Sequence, residues 1–330
     1  MFGSRGGALR CGIGGALLAT LACAAAAEAP ARITVPPALG RTSATIEPSG
    51  VVWAEALQRY LVVSDDSGPE EDHHAPWLLA LSREGVFDGA TVPIEGLREL
   101  NDGESICAGP AGTFFLTTSH SPNRKGKTSP GRRQLLHLRL AGRALQVQGS
   151  ADLTTARSDD GQPLLGIAGL STDERLDIEA ITFHDGALLI GLKSPLSARG
   201  GAVILRLADP VRALAAGRIP RGAVTRFAEV ALRSSRQGPP VAQGIADLTV
   251  LADGSLILLG NAPKGGPTDG GGALYRLPAG AAAPTLLERF DGLKPEGVTL
   301  AADGRSLLIV FDNDTQPPLW VRRPLPGVKR

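Results

Sequence analysis

Cysteine is nearly missing from this chain of 330 residues: only Cys11, Cys23 and Cys107 occur. The first two lie in an N-terminal stretch that reads as a leader. Arg5 and Arg10 precede the apolar run "CGIGGALLATLACAAAA", and small residues continue to Ala27, as signal-peptidase cleavage requires. Residues 1–27 are therefore expected to be a signal peptide and residues 28–330 the mature, periplasmic or secreted chain. Lipid anchoring through Cys23, which follows "TLA", is the alternative. One remaining thiol excludes an intrachain disulfide framework. Cys107, between Ile106 and Ala108, reads as an inert strand residue.

Charge imbalance is also lacking. The chain has 34 Lys and Arg against 33 Asp and Glu, for a net charge of +1. No strong field would recruit nucleic acid. After the leader no apolar run is long enough to span a bilayer, so no transmembrane segment is expected in the mature chain. Aromatic residues are 4% of the sequence, too few for a base-stacking platform. Helix formers are scarce, "DPVRALAAG" at 209–217 being the best stretch. No G-x-S-x-G elbow, H-E-x-x-H or P-loop is found, which removes the motif-based hydrolases, zincins and nucleotide enzymes.

What the sequence has is a recurring hairpin. "FDGLKPEGVTLAADGRSLLIVFDND" places Glu296 before a short apolar stretch, an Asp-Gly turn, a longer apolar stretch, and then Asp312, Asn313 and Asp314. "LDIEAITFHDGALLIGLKSP" repeats this with Glu179, Lys193 and Ser194, and "GIADLTVLADGSLILLGNAP" with Asp247 and Asn261. "DGESICAGPAGTFFLTTSHSP" carries Glu104 and His120, and "IEPSGVVWAEALQRYLVVSDDSG" carries Glu47, Asp65 and Asp66. Asp-Gly between apolar segments is a hairpin signal, because both residues tolerate positive φ.

The second segments, such as "SLLIV" and "SLILL", are apolar at every position, so they need cover on both faces. With so few helices, sheet stacked on sheet must provide it. The spacing of Val52, Ile106, Ile181, Leu248 and Val298 is 54, 75, 67 and 50 residues, enough for four strands per repeat. An all-β β-propeller is expected, with five four-stranded blades and six as the alternative. Insertions are expected near 151–176 and 209–222, within one domain spanning 28–330. "ARITVP", just after the leader, is expected to supply the last blade's missing strand.

In an antiparallel hairpin the residue before the first strand and the residue after the second share one end. Glu104, Glu179, Asp247 and Glu296 should thus gather with Asp65, Asp66, His120, Lys193, Asp312 and Asn313 at one mouth of the channel. Crowded carboxylates raise one another's pKa unless a cation relieves them. Carboxylate and amide oxygens suit calcium, ahead of magnesium or manganese. Glu179, Glu296, Asp312 and Asn313 are the expected metal ligands. Asp66 or Glu104 is the expected base, and His120 and Lys193 would orient or protonate a leaving group. The basic loop "PNRKGKTSPGRR" (122–133) could close over that mouth and attract an anionic substrate.

The stretches "EPSGVVW" (47–53), "LDIEAITFHDGALLIGLKSPL" (176–196), "VAQGIADLTV" (241–250) and "FDGLKPEGVTLAADGRSLLIVFDND" (290–314) resemble the DUF3616 family of bacterial β-propeller proteins. More distantly they are similar to phytase-like esterase propellers. The family's "IEG" is "IEA" here, with Ala180 in place of glycine. The resemblance implies a propeller and, through the phytase-like relatives, a hydrolase. Two functions stay open: a metal-dependent hydrolase of phosphate esters or lactones, and a non-catalytic propeller that binds a ligand or an envelope protein around a structural metal. The partner in either case is a small anionic molecule or an envelope protein.

Overall fold

The computed structural model describes residues 1, 3, 28–41, 46–65, 74–123, 125–235, 239–263, 271–313 and 317–325. The expected signal peptide lies almost wholly outside these residues, as do Asp66 and Asp314. Among the described residues no helix is long and apolar enough to cross a membrane.

The chain is all-β. Strands β1 (Ala31–Arg32), β2 (Pro48–Ala54), β3 (Arg59–Ser64), β4 (Trp77–Leu81) and β5 (Val92–Glu95) come first. Next are β6 (Gly103–Ala108), β7 (Thr113–Thr118), β8 (Leu135–Ala141) and β9 (Ala144–Ala151). Then follow β10 (Asp177–His184), β11 (Ala187–Ser194), β12 (Ala202–Ala208) and β13 (Val224–Val230). The last are β14 (Leu232–Ser234), β15 (Val241–Val250), β16 (Leu256–Asn261), β17 (Gly271–Leu277), β18 (Thr285–Asp291), β19 (Lys294–Leu300), β20 (Ser306–Asp312) and β21 (Leu319–Pro324). Two short helices, α1 (Leu164–Ala168) and α2 (Pro210–Ala215), fall in the stretches where insertions are expected.

The recurring hairpin appears five times, as β2–β3, β6–β7, β10–β11, β15–β16 and β19–β20. The first strands of successive hairpins pack side by side, and β19 packs against β2, so the arrangement is circular and propeller-like. The sheets are not uniformly four-stranded. Two have four strands, one gains β14 as a fifth, and parallel pairing of β5 with β9 fuses two others into an eight-stranded sheet. Strand β1 pairs with the last one, Ala31 opposite Trp320 and Arg32 opposite Leu319.

The second strand of each hairpin alternates between two neighbours, which explains why it is apolar throughout. Leu188 faces one apolar cluster and Leu189 the next; Ile257 and Leu258 divide in the same way. Val62 and Leu308 share the cluster that joins the last hairpin to the first. Each layer of sheet is therefore the cover for its neighbour.

Candidate functional site

Every first strand is irregular at one residue. Pairing skips Ser49, Glu104, Glu179, Ala246 and Glu296, each of which bulges out of its ladder. A bulge re-aims a side chain that regular pairing would direct elsewhere. Asp247, which the sequence aligns with the three glutamates, lies one residue beyond the equivalent bulge. Val51, not Val52, is likewise the equivalent of Ile106 and Ile181.

Two residues before each bulge come Glu47, Asp102, Asp177, Gly244 and Lys294. Strand periodicity returns these to the side occupied by the bulge residue. Their partners across the hairpin are Asp65, Ser119, Ser194, Asn261 and Asp312. The D-x-E of "DGE" and "DIE" and the K-x-E of "KPE" were the sequence signals for Asp102, Asp177 and Lys294.

These residues surround a cavity of about 280 Å³ at one end of the ring. Eight acids line it: Glu47, Asp65, Asp102, Glu104, Asp177, Glu179, Glu296 and Asp312. Among the described residues only two lysines oppose them in the lining, Lys193 and Lys294. The lysines divide the cavity. Lys193 Nζ lies 2.5 Å from Glu179 and 3.6 Å from Glu296, while Lys294 Nζ lies 2.7 Å from Glu296 and 2.8 Å from Asp312. Burial alone would depress the Lys193 ammonium, but Glu179 and Glu296 outweigh it and hold its pKa well above the ordinary value.

Among the described residues no lysine is ion-paired with Asp65, Asp102 or Glu104. Two groups of carboxylates, Asp65–Asp102–Glu104 and Glu104–Asp177–Glu179, each bring ligand oxygens within 4.8 Å of one another. Glu104 belongs to both. It is 8% exposed, and among the described residues no hydrogen bond or ion pair reaches its carboxylate. Burial, then Glu179, Asp102, Asp65 and Asp177, push its pKa well above the usual carboxylate range. Burial and the neighbouring Asp102 and Glu47 do the same to Asp65. Burial, with Glu296 and Asp177, raises Glu179 to about 8, and Lys193 offsets only part of this.

Asp102 is held in place by the Ser119 hydroxyl and by Arg132, which comes from the basic 122–133 loop. Arg132 is fixed in turn by the Ser121 carbonyl at 2.8 Å and the Asn101 side chain at 3.1 Å. That loop thus sends one arginine inward to brace an acid.

The remaining expected residues sit apart. His120 does not line the cavity; its Nδ1–H donates to the Thr118 carbonyl at 2.8 Å, and Nε2 accepts the Leu153 N–H at 3.3 Å. Burial lowers its pKa to about 4. Asn313 turns its amide to the Pro317 carbonyl at 3.1 Å, and Asn261 donates to the Pro295 carbonyl at 2.7 Å. Asp247 instead plugs the channel behind the cavity. It accepts the Ser105 hydroxyl at 2.8 Å and the Val298 N–H at 2.7 Å. The donor set around Glu104 is entirely carboxylate oxygen, which fits a hard divalent cation and does not fit zinc.

No protein-family model matches the sequence, and no curated protein matches it. Solved structures with a similar course of chain include a gluconolactonase from Xanthomonas campestris, at 13% identity and a TM-score of 0.39, covering 92% of this chain and 96% of that one. Another is the glutaminyl cyclase of Myxococcus xanthus, at 11% identity and a TM-score of 0.44, covering 86% and 92%. A third is Kuenenia stuttgartiensis hydrazine synthase, at 7% identity and a TM-score of 0.39; the match covers 80% of this chain and 55% of the other.

Proposed function

We propose that this chain is an exported, divalent-cation-dependent hydrolase of esters, lactones or phosphate esters, built as a five-bladed propeller of the DUF3616 type. In this reading residues 1–27 are removed, residues 28–330 form one domain, and the fused and five-stranded sheets are variants of a four-stranded blade. The observation that carries the proposal is Glu104, a buried and unpartnered carboxylate shared by two acidic groups. Such crowding is costly until positive charge enters.

Asp65, Asp102, Glu104 and Asp177 would hold the cation, with calcium preferred to magnesium or manganese. Glu296 and Asp312, expected as ligands from the sequence, are instead neutralised by Lys193 and Lys294. A bound cation would supply polarisation of an ester or phosphoryl oxygen and activation of water. Burial raises the proton affinity of Glu179, and Lys193 is fixed against it, which suits proton exchange with a leaving oxygen. Lys294, half-exposed on the rim, is placed to meet an anionic substrate. His120 supports the loop behind Ser119 and takes no proton-transfer role.

The test is calorimetric titration of the metal-stripped full chain with calcium, magnesium and manganese, followed by a panel of lactones, carboxyl esters and phosphomonoesters. Glu104→Gln should weaken calcium binding at least about tenfold while the fold is retained. Turnover that requires the cation and is lost in Glu179→Gln supports the hydrolase. The bracing of Glu179 and Glu296 of different hairpins by one Lys193 favours a second reading, a binding propeller sealed by a structural ion. Tight, Glu104-dependent calcium with no turnover across the panel would select it. Unchanged calcium affinity in Glu104→Gln would remove the metal site.

A further inference from the structure

The opposite end of the ring holds a second cavity of a different character, of about 390 Å³. It is separated from the acidic cavity by the Asp247–Ser105 plug. Among the described residues Glu55 is the only acidic or basic side chain in its lining. That carboxylate is already engaged by the Trp53 indole N–H at 2.6 Å and the Gln58 amide at 2.8 Å.

The lining follows from the same bulges. Three residues after each bulge come Val52, Cys107, Thr182, Thr249 and Thr299, all of which line the cavity. Around the ring the three threonines are consecutive, and the valine and thiol face them. One half of the wall is therefore hydroxylic and the other apolar, extended by Trp53 and Phe183.

Two of these hydroxyls are uncommitted within the protein. Thr182 is 4% exposed and Thr299 is 7% exposed, yet among the described residues neither hydroxyl has a hydrogen-bond partner. Neither oxygen is enclosed by protein, so each keeps its hydrogen-bonding capacity for the cavity, which a valine of the same shape would not offer. Cys107, by contrast, is held by backbone at Phe183 and Phe115, and burial pushes its pKa up, so it stays a neutral thiol. The size lies within the range of small-molecule sites, which combine apolar walls with a few convergent polar groups.

We propose that this cavity binds a neutral small molecule whose apolar body lies against Val52, Trp53 and Phe183 and whose carbonyl or hydroxyl oxygen meets Thr182 and Thr299. Among the described residues the lining offers no uncommitted charge, so nothing in it would neutralise an anionic or cationic ligand. The site is independent of the hydrolase reading, since it shares no residue with the carboxylate groups.

Nile red, a neutral apolar fluorophore with a ring carbonyl, is a direct probe. Titrated with the full-length mature protein, its emission should rise, shift to the blue and saturate at one equivalent. Thr182→Val and Thr299→Val preserve side-chain shape and should each raise the dissociation constant about fivefold with an unchanged melting temperature. Ala302→Trp, on the rim, should abolish the signal. Absence of saturable binding to the unsubstituted protein would overturn the proposal. So would equal affinity in the double Thr182→Val/Thr299→Val and the Ala302→Trp variants, because the dye would then be bound elsewhere.

Discussion

Asp247 accepts a hydrogen bond from the hydroxyl of Ser105, 142 residues away in sequence, at 2.8 Å. The same hydroxyl accepts the Ile181 N–H at 3.2 Å, and the other carboxylate oxygen of Asp247 accepts the Val298 N–H at 2.7 Å. The Asp247–Ser105 pair thus links four of the five inner strands. Burial pushes the Asp247 pKa well above the usual range, although the Val298 and Ser105 donors favour its charged form.

Removing that side chain should weaken the ring directly. Asp247→Ala leaves the Val298 N–H and the Ser105 hydroxyl buried without an acceptor, and a loss of about 3 kcal/mol is expected from urea unfolding. Asp247→Asn retains one acceptor and should lose less, about 1 kcal/mol. In a double-mutant cycle with Ser105→Ala the two effects should be less than additive, because the residues share a bond.

His120 should make the protein acid-sensitive. Its neutral ring satisfies both Thr118 and Leu153, whereas a protonated Nε2 would oppose the Leu153 N–H. Asp152 pulls its pKa upward and Arg133 pulls it downward, but burial dominates and brings it to about 4. The unfolded state therefore binds the extra proton first, and stability falls as pH drops from about 6.5 to about 4, by about 3 kcal/mol. Denaturant melts of His120→Asn across this range should lack that portion of the slope.

The carboxylate cavity should give the opposite slope. With Glu179 raised to about 8, the folded state binds a proton that the unfolded state has released. The contribution is fully present below the ordinary glutamate value and is lost as pH rises through about 8. Metal-stripped protein should therefore lose stability between pH 5 and 8.5. Millimolar calcium should restore more of it at the upper end than at the lower, as followed by thermal melting.

Gly244 should not tolerate a side chain. It occupies the position that bears Glu47, Asp102, Asp177 or Lys294 in the other hairpins, and a Cβ there would lie 1.9 Å from the Lys193 carbonyl oxygen. Backbone has no room to yield at that contact. Gly244→Ala should cost about 3 kcal/mol in urea unfolding and should also disturb the Lys193–Glu179 pair.

Much of the fold was legible because hairpins are local. Asp-Gly turns, doubly apolar second strands and acids at strand ends show the repeat, the sheet-on-sheet cover and the end to which the charges go. Asp102, Asp177 and Lys294 were also accessible through strand periodicity, two residues before a glutamate. His120 was less so: it is adjacent to Ser119, but its positive φ of 56° turns it out of the hairpin and toward Leu153.

The sequence by itself determined the recurring hairpin and its polarity, since both depend only on turn residues and alternation within some twenty residues. Only the tertiary structure decided which residue of each first strand bulges, and hence which side chains meet. Asp247 stands one position from the register of Glu104, Glu179 and Glu296, and that single step sends it into the plug rather than the cavity. The reason is physical: a one-residue change of register reverses the direction of a side chain, and register is fixed by how closely neighbouring inner strands can approach.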